Sequence, residues 1–351
     1  MARVTLRQVA TAAGVSVATV SNAYNPAKSD QLSLELRGRI LELGAELGFT
    51  GPDPAGRALR SGQADAVGVL MGERLSYAFS DPFAIEFLAG VTEEVEQDDL
   101  SVVLVPLAEH DRRDDPLAAV RRASVDALAI LTLWHDHPAA QLARRRGIRL
   151  VLNNTTDDPD DSWVVVDDHR AGVLLGTHLA EYGHRDVLVI ASTAAPAGTP
   201  GRALAADQVA GPGIEARIRG LVESISGDVT LVTGGHNSLD AGKTAVAWAL
   251  EHRPRATAVV GLSDVLALGA LHELRRRRLS VPADWSVAGF DDVGAAGQDR
   301  LSTVRQPILL RGRHVGRMLR DPESQPRQVV MPVSLVQRDT VGPPRQPPGA
   351  A

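Results

Sequence analysis

Apolar positions recur at helical spacing over Leu6–Gly48 and in short unbroken runs from Val67 onward. In the first region Val9, Ala10 and Ala13 make one small apolar face. Thr5 with Gln8 three places on is a capping box that starts this helix at Leu6, and Gly14 ends it, because a left-handed position suits a residue without Cβ. Ser16 caps a second helix, in which Val20, Ala23 and Tyr24 fall at i, i+3 and i+4 and turn inward. Val17, Ala18, Ser21, Asn22 and Asn25 are left facing out. Ser33 caps a third helix, with Leu36, Ile40, Leu43 and Leu47 repeating along it and Gly48 as its stop. An exposed face of small and amide side chains suits a helix that enters a DNA major groove, where bulky or acidic groups would clash or repel.

Beyond a Pro/Gly-punctuated stretch at 51–64, the runs predict strands at Val67–Met71, Val102–Leu107, Ala127–Leu133, Leu150–Asn153 and Val164–Val166. A second set is predicted at Val187–Ala191, Val229–Thr233, Ala258–Leu262 and Val287–Phe290. Apolar strands separated by helices predict parallel sheets covered on both faces, and two sets predict two similar α/β lobes. The expected class is an all-α helix-turn-helix head on a two-lobed α/β core with parallel sheets. The expected boundaries are head 1–50, hinge 51–64, core 65–340 and a disordered, Pro/Gly-rich tail 341–351 without coiled-coil heptads.

Composition narrows the class. A chain of 351 residues, 44% apolar and 23% charged, is ordinary for a globular protein of more than one domain. With no cysteine there is no disulfide, thiolate metal site or cysteine nucleophile. No signal peptide or membrane span is evident, so the reading is cytoplasmic. The net charge of −6 is uneven. Residues 1–62 carry seven cationic side chains against five carboxylates, a surplus of two, which leaves −8 for the remainder. Phosphate contact needs only such a local footprint, and an acidic body discourages indiscriminate DNA binding.

The stretch VTLRQVATAAGVSVATVSNAYN (4–25), with its AxxAGVSxxTVS core, resembles the helix-turn-helix head of the lactose-repressor (LacI/GalR) family. The resemblance extends through SYAFSDPFAIEFLAGV (76–91), VDDHRAG (166–172), YGHRDVLVIA (182–191), SDVLALGAL (263–271), VAGFDD (287–292) and LSTVRQP (301–307). It implies a periplasmic-binding-protein-like core in which the chain crosses between lobes three times, near Asp168, near Asp291 and within Asp321–Arg327. It further implies a regulator, usually a repressor, acting as a homodimer on double-stranded operator DNA under a small-molecule effector, a sugar or nucleoside. Thr5, Ser16, Thr19, Ser21 and Asn25 would orient the head on phosphates, and Val17, Ala18 and Asn22 would face bases. Relatives commonly carry arginine where Asn22 stands; asparagine favours adenine. The 51–64 segment would fold as a hinge on DNA, Leu59 wedging into the minor groove between Arg57 and Arg60, with Gly56 in place of the usual alanine making it harder to fold.

Ligands of such a core bind between the lobes at the carboxyl ends of the strands. Asp264 and Arg217 match effector-contacting positions of the family, Asp264 also being suited to capping a helix. Asp81 and Phe83 lie on the first effector loop, and Asn153, Asn154 and Gln306 are further candidates. Three patterns suggest other chemistry and fall short of it. TGGHNSLDAGKT (233–244) ends like a phosphate loop but has Asn237 where glycine is required. Gly211–Ala216 fits G-x-G-x-x-A with no strand before it. His135 and His137 have metal-ligand chemistry without a third ligand. No catalytic constellation, metal site or cofactor is predicted, and a solute-binding protein of the same core fold is the alternative to a regulator.

Overall fold

The computed structural model describes residues 4–345 apart from 53–55, 57–61, 73–74, 108–114, 116, 194–197, 206–207, 210, 212, 254 and 324. It divides into two compact units, one up to Asp65 and one from Ala66.

The first unit holds α1 (Leu6–Ala13), α2 (Val17–Ala23) and α3 (Leu34–Leu47), with a 3-10 turn at Pro26–Gln31. Val9, Ala10, Ala13, Val20, Ala23, Ile40 and Phe49 make its core. The Thr5–Gln8 capping box is formed, Ser16 and Ser33 cap α2 and α3, and Gly14 and Gly48 close α1 and α3 in left-handed geometry. Leu47, expected on the inner face of α3, is instead exposed, because Phe49 fills the position beyond the cap. Gly44 lies where Tyr24 packs edge-on to Phe49, and a Cβ there would overlap the tyrosine hydroxyl.

The second unit contains two sheets. The strands are β1 (Ala66–Met71), β2 (Ser101–Pro106), β3 (Ala127–Ile130), β4 (Arg149–Leu152), β5 (Ser162–Val166), β6 (Asp186–Ile190), β7 (Arg202–Ala203), β8 (Asp228–Thr233), β9 (Ala258–Gly261), β10 (Ser286–Asp291), β11 (Ser302–Arg305), β12 (Gln328–Met331) and β13 (Ser334–Val336). The first sheet, ordered β12-β5-β4-β3-β1-β2, is parallel throughout. The second is ordered β13-β11-β10-β9-β6-β8-β7, antiparallel only at its two edge pairings. All nine expected strands are present, and β1, β5 and β10 are buried at every position, as strands covered on both faces must be.

Helices α4 (Leu75–Ala78), α5 (Pro82–Val95), α6 (Ala118–Arg122), α7 (Pro138–Arg145), α8 (Asp168–Tyr182), α9 (Ile214–Ser224), α10 (Leu239–His252), α11 (Asp264–Arg276), α12 (Gly294–Gln298) and α13 (Ile308–Arg320) complete this unit. The first crossing between lobes lies at Asp167–Asp168, as expected. The second is not near Asp291, which still belongs to β10, but at Gln306–Pro307, after β11 has paired with β10. The third is not within Asp321–Arg327 but at Pro332–Val333, because β12 joins β5 in the first sheet while β13 joins β11 in the second.

Part of the expected disordered tail is ordered. Gly342 donates its N–H to Ser286 Oγ (3.1 Å), and its carbonyl accepts from His184 Nε2 (2.9 Å). Arg345 stacks on Trp285 and donates to the Ala256 carbonyl. Burial holds His184 below the usual histidine range, so it serves as a neutral hydrogen-bonding post. Among the described residues no helix is long and apolar enough to cross a membrane.

Candidate functional site

In the head, Ser16 Oγ accepts from Thr19 N (3.0 Å) and bonds Thr19 Oγ1 (2.8 Å), so the hydroxyl that starts α2 is tied to its first turn. Val17 and Ala18 are exposed, and Thr19, Ser21, Asn22 and Asn25 are half-buried along the same helix and its end. The Asn22 amide donates to Gln31 Oε1 (3.3 Å), which presents the side chain from a braced position. Arg39 donates to the carbonyl of Ala13 (2.5 Å) and Arg37 to that of Ala23 (3.3 Å). Two of the head's cations thus close the carboxyl ends of α1 and α2, where positive charge is favoured, and the phosphate footprint is narrower than the charge count implies. Arg57 and Leu59 lie outside the described residues.

In the second unit a cavity of about 330 Å³ opens between the two sheets. Its walls are the residues that end or follow the strands: Met71, Leu131, Asn153, Leu262 and Asp291, with Asp81, Phe83 and Ile214 from the starts of helices. The crossing segments contribute Asp168 and Gln306. Five of the seven expected effector residues line it: Asp81, Phe83, Asn153, Arg217 and Gln306.

Asp81 caps α5, its Oδ1 accepting from Phe83 N (3.2 Å). Asn153 donates to the Leu131 carbonyl, while its Oδ1 is buried without a hydrogen-bond partner. Arg217 donates Nε and Nη2 to Asp168 Oδ1 (3.0 and 2.5 Å) and Nη1 to the Leu262 carbonyl (2.7 Å), and lies 4.6 Å over the Phe290 ring. Gln306 donates to Asp291 Oδ1 (2.6 Å). Burial, then the nearby Asp264 charge, pushes Asp291 well above the usual carboxylate range. Arg311, fully buried, donates to the Val164 carbonyl (3.1 Å), and desolvation lowers it to about 10.

Asp264 departs from expectation. It is fully buried and does not line the cavity. Its Oδ2 accepts from Val293 N (3.0 Å) and its Oδ1 from Thr303 Oγ1 (2.6 Å), so the two oxygens tie the start of α11 to the turn after β10 and to β11. Ser263, not Asp264, caps α11. Burial lifts the Asp264 carboxyl to about 7. Asn154 is engaged with His135 (2.8 Å) rather than the cavity.

Asp168, Asp291, Arg311, Thr132 and Asn237 also line the cavity, and no sequence signal marks them as ligand residues. In the sequence the first two stand out only as crossing positions. Asp291 and Asp292 carry positive φ (119° and 61°), a turn that the sequence signals weakly. In the phosphate-loop-like segment, Ser238 caps α10 and Lys243 pairs with Asp240 on the surface. His137 caps α7 with Nδ1. Among the described residues no cluster of metal-ligating side chains occurs.

Residues 5–51 match the lacI family of bacterial regulatory proteins, and residues 177–341 match the periplasmic binding protein-like domain. Over 358 residues the chain is 35% identical to an HTH-type transcriptional regulator of Mycolicibacterium smegmatis, 97% of each protein being covered. It is similar in structure to a LacI-family transcriptional regulator from Corynebacterium glutamicum (29% identity, TM-score 0.70, covering 96% of this chain and 98% of that one). It is also similar to the regulator CelR in its cellobiose complex (26% identity, TM-score 0.65, covering 96% and 100%). The matched head does not favour the reading of the core as a solute-binding protein without a transcriptional role. The chain belongs to the lacI family of bacterial regulatory proteins, and is a DNA-binding transcriptional regulator rather than an enzyme.

Proposed function

We propose that this regulator is a cytoplasmic homodimeric repressor whose hold on a pseudo-palindromic operator is set by a hydroxylated small molecule, a sugar, bound in the cleft. The observation that carries this reading is the lining of the cavity. Carboxylates, amides and guanidinium groups surround an apolar patch of Phe83, Leu131 and Leu262, the mixture a sugar needs for its hydroxyls and its C–H faces. The cellobiose bound to CelR supports the same ligand class. Both lobes and two of the three crossing segments supply lining residues, so a ligand binds open and closed lobe arrangements with different affinity. Operator affinity then changes through differential binding to two states.

On the DNA side, α2 enters the major groove, with Val17, Ala18 and Asn22 toward bases and Thr5, Ser16, Thr19, Ser21 and Asn25 toward phosphates. Arg57 and Leu59 act from the hinge in the minor groove. A thermal-shift screen of sugars and nucleosides identifies the effector as a compound that raises the melting temperature. A gel-shift titration with upstream operator DNA is then repeated with and without it. An effector that stabilises the protein yet leaves operator affinity unchanged refutes the regulatory coupling.

A further inference from the structure

Helix N-termini and guanidinium groups are the ordinary anchors of phosphate and carboxylate ligands. The cleft has both, and the protein fills each with its own groups. Asp81 occupies the start of α5. Gly213 opens α9 without a side-chain cap, and the Asp168 carboxylate lies against it so closely that a Cβ on Gly213 would overlap Oδ2. Asp291 accepts from the backbone N–H of Asp264 at the start of α11 as well as from Gln306.

The cations are engaged too. Arg217 is neutralised by Asp168, with two N–H groups left over as donors for hydroxyl oxygens. Arg311 is buried and donates to the backbone carbonyls of Val164 and Asn153. Among the described lining residues three carboxyl groups, Asp81, Asp168 and the Asp291 that burial raises, meet two guanidinium groups. Asn153 Oδ1, buried and unpartnered, adds an acceptor that asks for a hydroxyl donor.

Building on the reading of the cleft as the effector site, we propose that it selects an uncharged polyhydroxylated molecule and rejects the phosphorylated or carboxylated counterpart of the same molecule. The cause is that side-chain carboxyl groups already occupy the anion-binding positions; a bound phosphate would sit beside Asp168 and Asp291, with Arg217 already paired to Asp168.

The test is calorimetric titration of the full chain with matched probes: pentoses, hexoses, disaccharides and nucleosides, each against its phosphate, and the sugars also against their aldonic acids. A neutral member is expected to bind, with its charged counterpart weaker by more than about tenfold. A charged member that binds as tightly as its neutral partner overturns the inference and leaves the cleft reading standing. Silence from every member removes the cleft reading and the inference with it. In Asp168→Asn, checked for an intact melting profile, the gap between neutral and charged members is expected to narrow as Arg217 loses its partner. A gap unchanged in this variant overturns exclusion by that carboxylate.

Discussion

At the scale of single residues, what a carboxylate's oxygens touch matters more than its place in a motif. Asp264 sits where a ligand contact is expected, but Thr303, 39 residues on, and Val293 claim its oxygens. Only the tertiary pairing of β10 with β11 brings those donors to it, so its role is illegible in the sequence. Thr5, Ser16 and Ser33 are the opposite case: each cap is local, acting within three residues, and all three were readable. The raised Asp264 carboxyl has a signed consequence. Folding favours its protonated form, a contribution complete below about pH 4 and lost as pH rises through about 7. Relative to Asp264→Asn, the wild-type core is expected to lose stability between about pH 4 and pH 7, by on the order of a few kcal/mol, read as the difference of the two melting profiles. On the DNA side, Asn22→Arg is expected to move base preference at one operator position from adenine to guanine by about 1–3 kcal/mol, measured by competition gel shift over the four base pairs.

At the scale of elements, three helix pairs meet glycine against glycine. Gly90 of α5 faces Gly312 of α13, Gly172 of α8 faces Gly220 of α9, and Gly242 of α10 faces Gly269 of α11. A Cβ at any of these six positions would overlap backbone of the opposing helix. Gly312→Ala is therefore expected to destabilise the core by about 1–3 kcal/mol, visible as a lower melting temperature. Gly38→Ala, on α3 with open space around the added carbon, should stabilise the head by up to ~1 kcal/mol, so the two changes carry opposite signs. The strands were legible because full burial leaves unbroken apolar runs. The crossings were not, since lobe membership depends on which distant strand accepts β11, β12 and β13.

At the scale of the whole molecule, the proposed regulation couples head, hinge and core on DNA. If the hinge folds on the operator, Gly56→Ala should tighten binding about fivefold, from ~1 kcal/mol of helix propensity. Leu59→Ala should weaken it; an unchanged gel-shift midpoint would sink the wedge. The domain order was readable because the periodicity changes at the junctions; the cleft's full lining was not, since it gathers residues from Met71 to Arg311. One consequence of the late strand β12 concerns synthesis rather than regulation. The first lobe's sheet needs Gln328–Met331 beside β5, and α5 needs α13 against its glycine. Neither lobe is a continuous stretch of gene, so a nascent chain paused after the fifth strand presents an unpaired sheet edge and a bare helix groove. Fragments cut at Asp167 or Gln306 should accordingly be poor folders alone, and nearly the entire core must leave the ribosome before either lobe can close.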